Sequence, residues 1–131
     1  MVEVVLDTNV LVAALRSKRG ASARLLRMIG TGHWRLNISV ALALEYEEVL
    51  KRVEVLPGFS EADVDEFLYY LFSVSNLVPL VLRRRPTLPD PDDESILEVA
   101  AQCRAMIVTY NKSDFVGAER FGVSVRAQPS S

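Results

Sequence analysis

The chain has 131 residues, half of them apolar, with 15 Lys and Arg against 17 Asp and Glu and a net charge of −2. That suffices for one compact domain, residues 1–131, while a single cysteine (Cys103) forbids an internal disulfide and a single histidine (His33) argues against zinc and histidine-based catalysis. Any chemistry must therefore rest on carboxylates. No stretch approaches the length of a membrane span and the N-terminus lacks a signal-peptide layout, so a cytoplasmic protein with no membrane partner is expected.

Residues 2–6 read as a strand buried on both faces apart from Glu3, and it stops on Asp7. Residues 9–16 and 21–29 read as two short helices broken around Lys18-Arg19-Gly20, with Ser17 or Ser22 as candidate caps. Trp34 to Ile38 is a short strand. Ser39 caps a helix to about Val53, with Leu42, Tyr46, Val49, Leu50 and Val53 at helical spacing. Pro57-Gly58 breaks it, and Ser60 with Asp63 forms a capping box for a helix over 61–73. Val78 to Leu82 is a strand with a proline inside it, hence near a sheet edge. Asp90-Pro91 opens a helix to about Arg104. Ala105 to Thr109 is another buried strand and Val123 to Val125 a last short one. Alternating strands and helices imply a parallel α/β sheet with helices on both faces.

Charge is segregated along the chain. Six basic residues precede position 36, and Arg83, Arg84 and Arg85 stand before an acidic run of Asp90, Asp92, Asp93 and Glu94. Such patches engage phosphates or simply solvate helix faces.

In a parallel sheet the ligand site lies beyond the carboxyl ends of the strands. Asp7 ends the first strand there. Thr109 ends the strand "AMIVT", with Asn111 and Asp114 close behind. Glu45 borders the apolar stripe of the helix after the second strand, whereas Glu47 and Glu48 point away from it. Each acid has a plain alternative. Asp7 is also a natural N-cap, a role worth about 1 kcal/mol. Glu45 is an ordinary helix-edge glutamate, the acidic run suits a helix dipole, and Asp114 suits a turn. Their joint placement at one end of the sheet favours a divalent-cation site of oxygen ligands, Mg2+ or Mn2+, the usual apparatus for phosphodiester hydrolysis.

"VVLDTNVLVAAL", Glu45 within "ALALEYEEVLKR", "DPDDESILEVA" and "IVTYNKSDF" together resemble the PIN-domain nucleases, and more narrowly the toxin components of prokaryotic type II toxin–antitoxin systems. The likeness runs from residue 4 to the "ERFGVSV" near the end. It implies a Rossmann-like three-layer α/β/α sandwich with a central parallel sheet and a metal-dependent endoribonuclease. It further implies an RNA substrate, a cognate antitoxin protein and a homo-oligomer, expected as a dimer. Asp7, Glu45 and Asp93 match the family's principal acids, with Asp90 and Asp92 as alternatives to Asp93 in a shifted register. Asp114 matches a fourth, more variable acid, and Asn9 and Thr109 match polar positions that line or support the site. One departure stands out: many PIN domains place an acid two residues after the threonine, where this chain has Asn111.

Two other readings share the strand-end carboxylates. A phosphoaspartate phosphatase wants an aspartate two residues after Asp7 and meets Asn9. A receiver-type signalling domain would use Thr109 and Lys112, but wants a phospho-acceptor aspartate ending a middle strand, and "WRLNISV" and "VPLVL" supply none. A degenerate PIN module that binds partners or nucleic acid without cleaving is the remaining alternative.

Overall fold

A proline-free run of β-branched and apolar residues makes Val2–Leu6 the first strand, β1. The computed structural model, which describes residues 2–17, 19–29, 31–79, 93–110 and 125–127, places β1 in the middle of the sheet. There follow helices α1 (Thr8–Arg16) and α2 (Ala21–Arg27), strand β2 (Trp34–Ser39), helices α3 (Val40–Leu50) and α4 (Glu61–Ser73) and strand β3 (Asn76–Val78). Helix α5 (Asp93–Cys103) and strands β4 (Met106–Thr109) and β5 (Val125–Ala127) complete the described elements. The strand order is β3-β2-β1-β4-β5 and every pairing is parallel. The chain steps from β1 through α1 and α2 to β2, and from β3 back across β1 through α5 to β4. Right-handed crossovers in opposite directions put α1 and α5 on opposite faces, which is the expected α/β/α layering.

Burial follows from that order. Val4, Val5 and Leu6 of the central strand are closed off on both sides, together with Leu36 and Ile38 of β2 and Ile107 and Val108 of β4. Leu11, Leu42, Tyr46 and Leu97 reach the same core from the helices. Each such aliphatic side chain contributes about 1.5–3 kcal/mol on burial. Val2 at the strand's start is exposed, so burial on both faces begins only at Val4.

Two polar devices fix the sheet. Glu3 and Arg35 are register partners on β1 and β2, and their side chains pair at 2.9 Å. Asn37 is fully buried; its amide donates to Glu3 Oε1 at 3.0 Å and to the Val4 carbonyl at 3.2 Å, and its Oδ1 accepts from Asn76 Nδ2 at 2.8 Å. Asn37 and Asn76 face each other in register, which brings β3 against β2 two residues earlier than the apolar pattern suggests. Residues 80–82 of the one expected strand and 123–124 of the other lie outside the described residues; β5 covers Val125–Ala127.

The helix caps are as expected for α3, where the Ser39 hydroxyl accepts from the Leu42 amide at 3.1 Å. The Ser60–Asp63 capping box of α4 closes at 3.0 and 2.9 Å, after a turn in which Gly58 takes a left-handed φ of 86°. Helix α2 differs: its N-cap is Gly20, and Ser22 is instead buried with its hydroxyl 2.6 Å from the Tyr110 hydroxyl.

Candidate active site

Leu6 is in register with Val108 on adjacent parallel strands, so the next residues, Asp7 and Thr109, leave the sheet side by side. The Asp7 amide donates to the Val108 carbonyl at 2.9 Å. The Thr109 hydroxyl donates to Asp7 Oδ2 at 2.6 Å, and both side chains are buried. Asn9 supports the pair from the first turn of α1. Its Nδ2 donates to Thr109 Oγ1 at 3.5 Å, and its Oδ1 accepts from the Tyr110 amide at 3.3 Å. Asp7 occupies the N-cap position of α1, yet no side-chain capping bond forms. Its carboxylate faces β4 instead.

Helix α3 brings the second acid. Ser95 on α5 donates to Glu45 Oε1 at 2.8 Å, tying two helices together at this carboxylate. The neighbouring Tyr46 is fully buried and its hydroxyl donates to the Leu6 carbonyl, one residue before Asp7. Burial raises the Tyr46 phenol well above its ordinary pKa, and the negative charges of Asp7 and Glu45 push it the same way. The phenol therefore stays neutral and keeps its proton for the Leu6 carbonyl.

Asp7 and Glu45 line one small cleft of about 40 Å³, with Glu48 and Arg52 at its rim and Val49 and Ile96 as apolar walls. Glu48 thus belongs to this mouth although it points away from the apolar stripe. Sequence reading also passed over Ser95 and Arg52. Among the described residues no three His, Cys, Asp or Glu side chains gather as a metal-binding cluster. Asp93 is the first residue of α5, while Asp90, Asp92, Asn111 and Asp114 lie outside the described residues. A larger groove of about 650 Å³ between α3, α4 and β3 is lined by Val40, Leu44, Leu68, Tyr69 and Leu77, and it contains none of the predicted site residues. Volume and chemistry point to different places, and the converging acids mark the site.

A parallel sheet in the order 3-2-1-4-5 defines an α/β protein of the class whose ligand sites lie beyond the carboxyl ends of the strands, where Asp7 and Thr109 stand. The chain belongs to the PIN-domain family, whose model matches residues 3–113. No curated protein matches it in sequence. In structure it is similar to a chain of VapBC2 from Rickettsia felis bound to a DNA fragment from their promoter, with a TM-score of 0.68, 15% identity, and coverage of 97% of this chain and 99% of that one. The corresponding values for DNA-bound VapBC from Salmonella typhimurium are 0.69, 16%, 97% and 98%. For FitAcB from Neisseria gonorrhoeae they are 0.64, 18%, 93% and 95%. At such identities the likeness establishes the fold. Among the described residues no helix is long and apolar enough to cross a membrane.

Proposed function

We propose that this PIN domain is a metal-dependent endoribonuclease, the toxin of a type II toxin–antitoxin pair, acting in the cytoplasm. Asp7, Glu45 and Asp93 hold a Mg2+ or Mn2+ ion, with Asp114 assisting. The observation that carries the reading is Asp7: a buried carboxylate in a cap position that does not cap, oriented by Thr109 into a cleft it shares with Glu45. A carboxylate held at the end of a strand by a neighbouring hydroxyl is well placed to ligate a hard cation. The donor set fits a hard divalent ion, since both contributors are oxygen ligands held in place by neighbouring hydroxyls at 2.6 and 2.8 Å.

A bound divalent ion lowers the pKa of water and neutralises phosphate charge. The chain's own work is positional. Thr109 and Asn9 fix the Asp7 carboxylate, Ser95 fixes Glu45, and Tyr46 holds α3 against the end of β1. In the hydrolysis, a water gives up a proton as its oxygen bonds to phosphorus, the bond to the leaving ribose oxygen breaks, and that oxygen takes up a proton.

A cognate antitoxin and a second copy of this chain are the expected protein partners. The structural neighbours are themselves VapBC and FitAcB assemblies, and the exposed Val40, Leu44, Tyr69 and Leu77 offer an apolar face for a protein to cover. The test of the enzyme reading is cleavage of single-stranded RNA by the purified protein with Mn2+, with Mg2+ and in excess chelator. Cleavage that needs the metal supports it. Full activity in chelator removes the metal, and no cleavage under any condition leaves a binding module.

A further inference from the structure

Two acids make a site for a cation and a poor site for an anion, so a phosphodiester approaching Asp7 and Glu45 needs positive charge that the acids themselves do not supply. The cleft has a cation at its rim. Arg52 lines the same opening as both acids, and its Nη2 lies 3.2 Å from Glu48 Oε1. That pair is solvent-exposed on both sides, 46% for Arg52 and 72% for Glu48, and exposed pairs of this spacing add little to stability. Its position is nevertheless well defined. The Arg52 amide donates to the Val49 carbonyl, and its carbonyl accepts from the amides of Val55 and Leu56. Leu56 is buried in the core. Arg16, at the end of α1, donates from Nε and Nη2 to the Val55 carbonyl at 2.9 and 2.6 Å. The turn that carries Arg52 is therefore anchored to the core on one side and to α1 on the other.

We propose that Arg52 is the phosphate-binding residue of this cleft, with Glu48 holding its guanidinium in place until an RNA backbone phosphate displaces the carboxylate. A guanidinium offers two parallel donors to a phosphate, which an ammonium does not. Glu48 competes for the same donors, so its removal favours the phosphate. The inference rests on the endoribonuclease reading of the same site and adds the residue that receives the substrate.

Binding of a fluorescent single-stranded RNA to the 131-residue chain in Ca2+ is measured by anisotropy across a salt series, alongside Mn2+ titration of each variant by calorimetry. Arg52→Gln is expected to weaken RNA binding several-fold and to flatten the salt dependence by about 0.7 in log–log slope, the share of one single-strand phosphate. Arg52→Lys falls between wild type and Arg52→Gln and keeps the wild-type Mn2+ isotherm, and Glu48→Gln binds RNA more tightly than wild type. If Mn2+ binds and RNA is cleaved while the Arg52 variants retain wild-type affinity and slope, Arg52 does not receive the phosphate and only this inference falls. If wild type neither binds Mn2+ nor cleaves RNA, the enzyme reading falls and takes the inference with it.

Discussion

The N-terminal amides of α1 receive no side-chain hydrogen bond from Asp7, whose Oδ2 accepts from Thr109. An aspartate kept for capping would stabilise the helix through those amides, and its replacement by asparagine, an equally good cap, would change little else. The proposed role needs the charge and not the cap. Asp7→Asn keeps an acceptor for Thr109 and removes a buried charge near Glu45, so the variant is expected to melt at or above the wild-type temperature. It should also lose Mn2+ binding and RNA cleavage. Thermal melts and a cleavage assay on the two proteins check this; a variant that melts far lower and still cleaves makes Asp7 structural. A second position is strained for a different reason. Arg104 follows α5 with a left-handed φ of 53°, and the Ala105 amide donates to the Ala100 carbonyl at 2.9 Å, the six-to-one bond of a Schellman turn. Glycine takes that conformation without a Cβ penalty. Arg104→Gly is expected to raise stability by about 0.5–1 kcal/mol in chemical denaturation, and a loss would place Arg104 in a contact that outweighs its strain.

At the scale of elements, some boundaries were legible and others were not, and the difference lies in what sets them. Helix α4 runs from Glu61 to Ser73 as read, because the capping box and the Pro57-Gly58 break are both local chemistry. Helix α3 stops at Leu50, short of Val53, since Val53 at helical spacing finds nothing to pack on and is 80% exposed. Strand β3 starts two residues earlier than read because a pair of asparagines, the buried Asn37 and the half-buried Asn76, sets its register. Asp7 was legible as a polar residue ending a strand and Glu45 as an acid bordering the apolar stripe of a helix. Ser95, Glu48 and Arg52 were not, since only the docking of α5 and of the turn after α3 brings them there. The β1–β2 pairing also carries a pH signature. Hydrogen bonding to the Arg35 guanidinium holds the Glu3 carboxyl below its ordinary pKa of 4.5 despite the opposing effect of burial, and Asn37 adds to the lowering. A carboxyl with a lowered folded pKa stabilises the fold above its unfolded pKa and loses that contribution as pH falls through the folded value. The stability gap between wild type and Glu3→Gln is therefore expected to be full above about pH 4.5 and to shrink on further acidification, as followed by urea melts across pH. A gap that is constant or grows in acid means the charge of Glu3 contributes nothing.

At the scale of the whole molecule, the topology makes three distant segments into one site. Asp7 sits near the N-terminus, Glu45 at the first third of the chain and Thr109 close to its end, and parallel strands are what bring their carboxyl ends to the same edge. A cation bound there should couple those segments. Metal that binds only the folded chain stabilises it by mass action, about 2.7 kcal/mol at a hundredfold excess over its dissociation constant. Mn2+ is thus expected to raise the melting temperature of wild type and to leave that of Asp7→Asn unchanged. The sequence also bears on how many ions bind. Where many PIN domains carry an acid two residues after the threonine, this chain has the neutral Asn111, which binds a divalent ion more weakly. One ordered ion per site is therefore expected in the free protein, with a second arriving only alongside the RNA phosphate. With residue 111 over the metal, as the family resemblance implies, Asn111→Asp adds negative charge there and should show an added or strengthened event in a Mn2+ titration, with a larger thermal shift at the same metal concentration. Two tight ions in the wild-type isotherm, or an isotherm unchanged by Asn111→Asp, would mean that residue 111 does not face the metal and that "TYNKSDF" lies elsewhere than over the site.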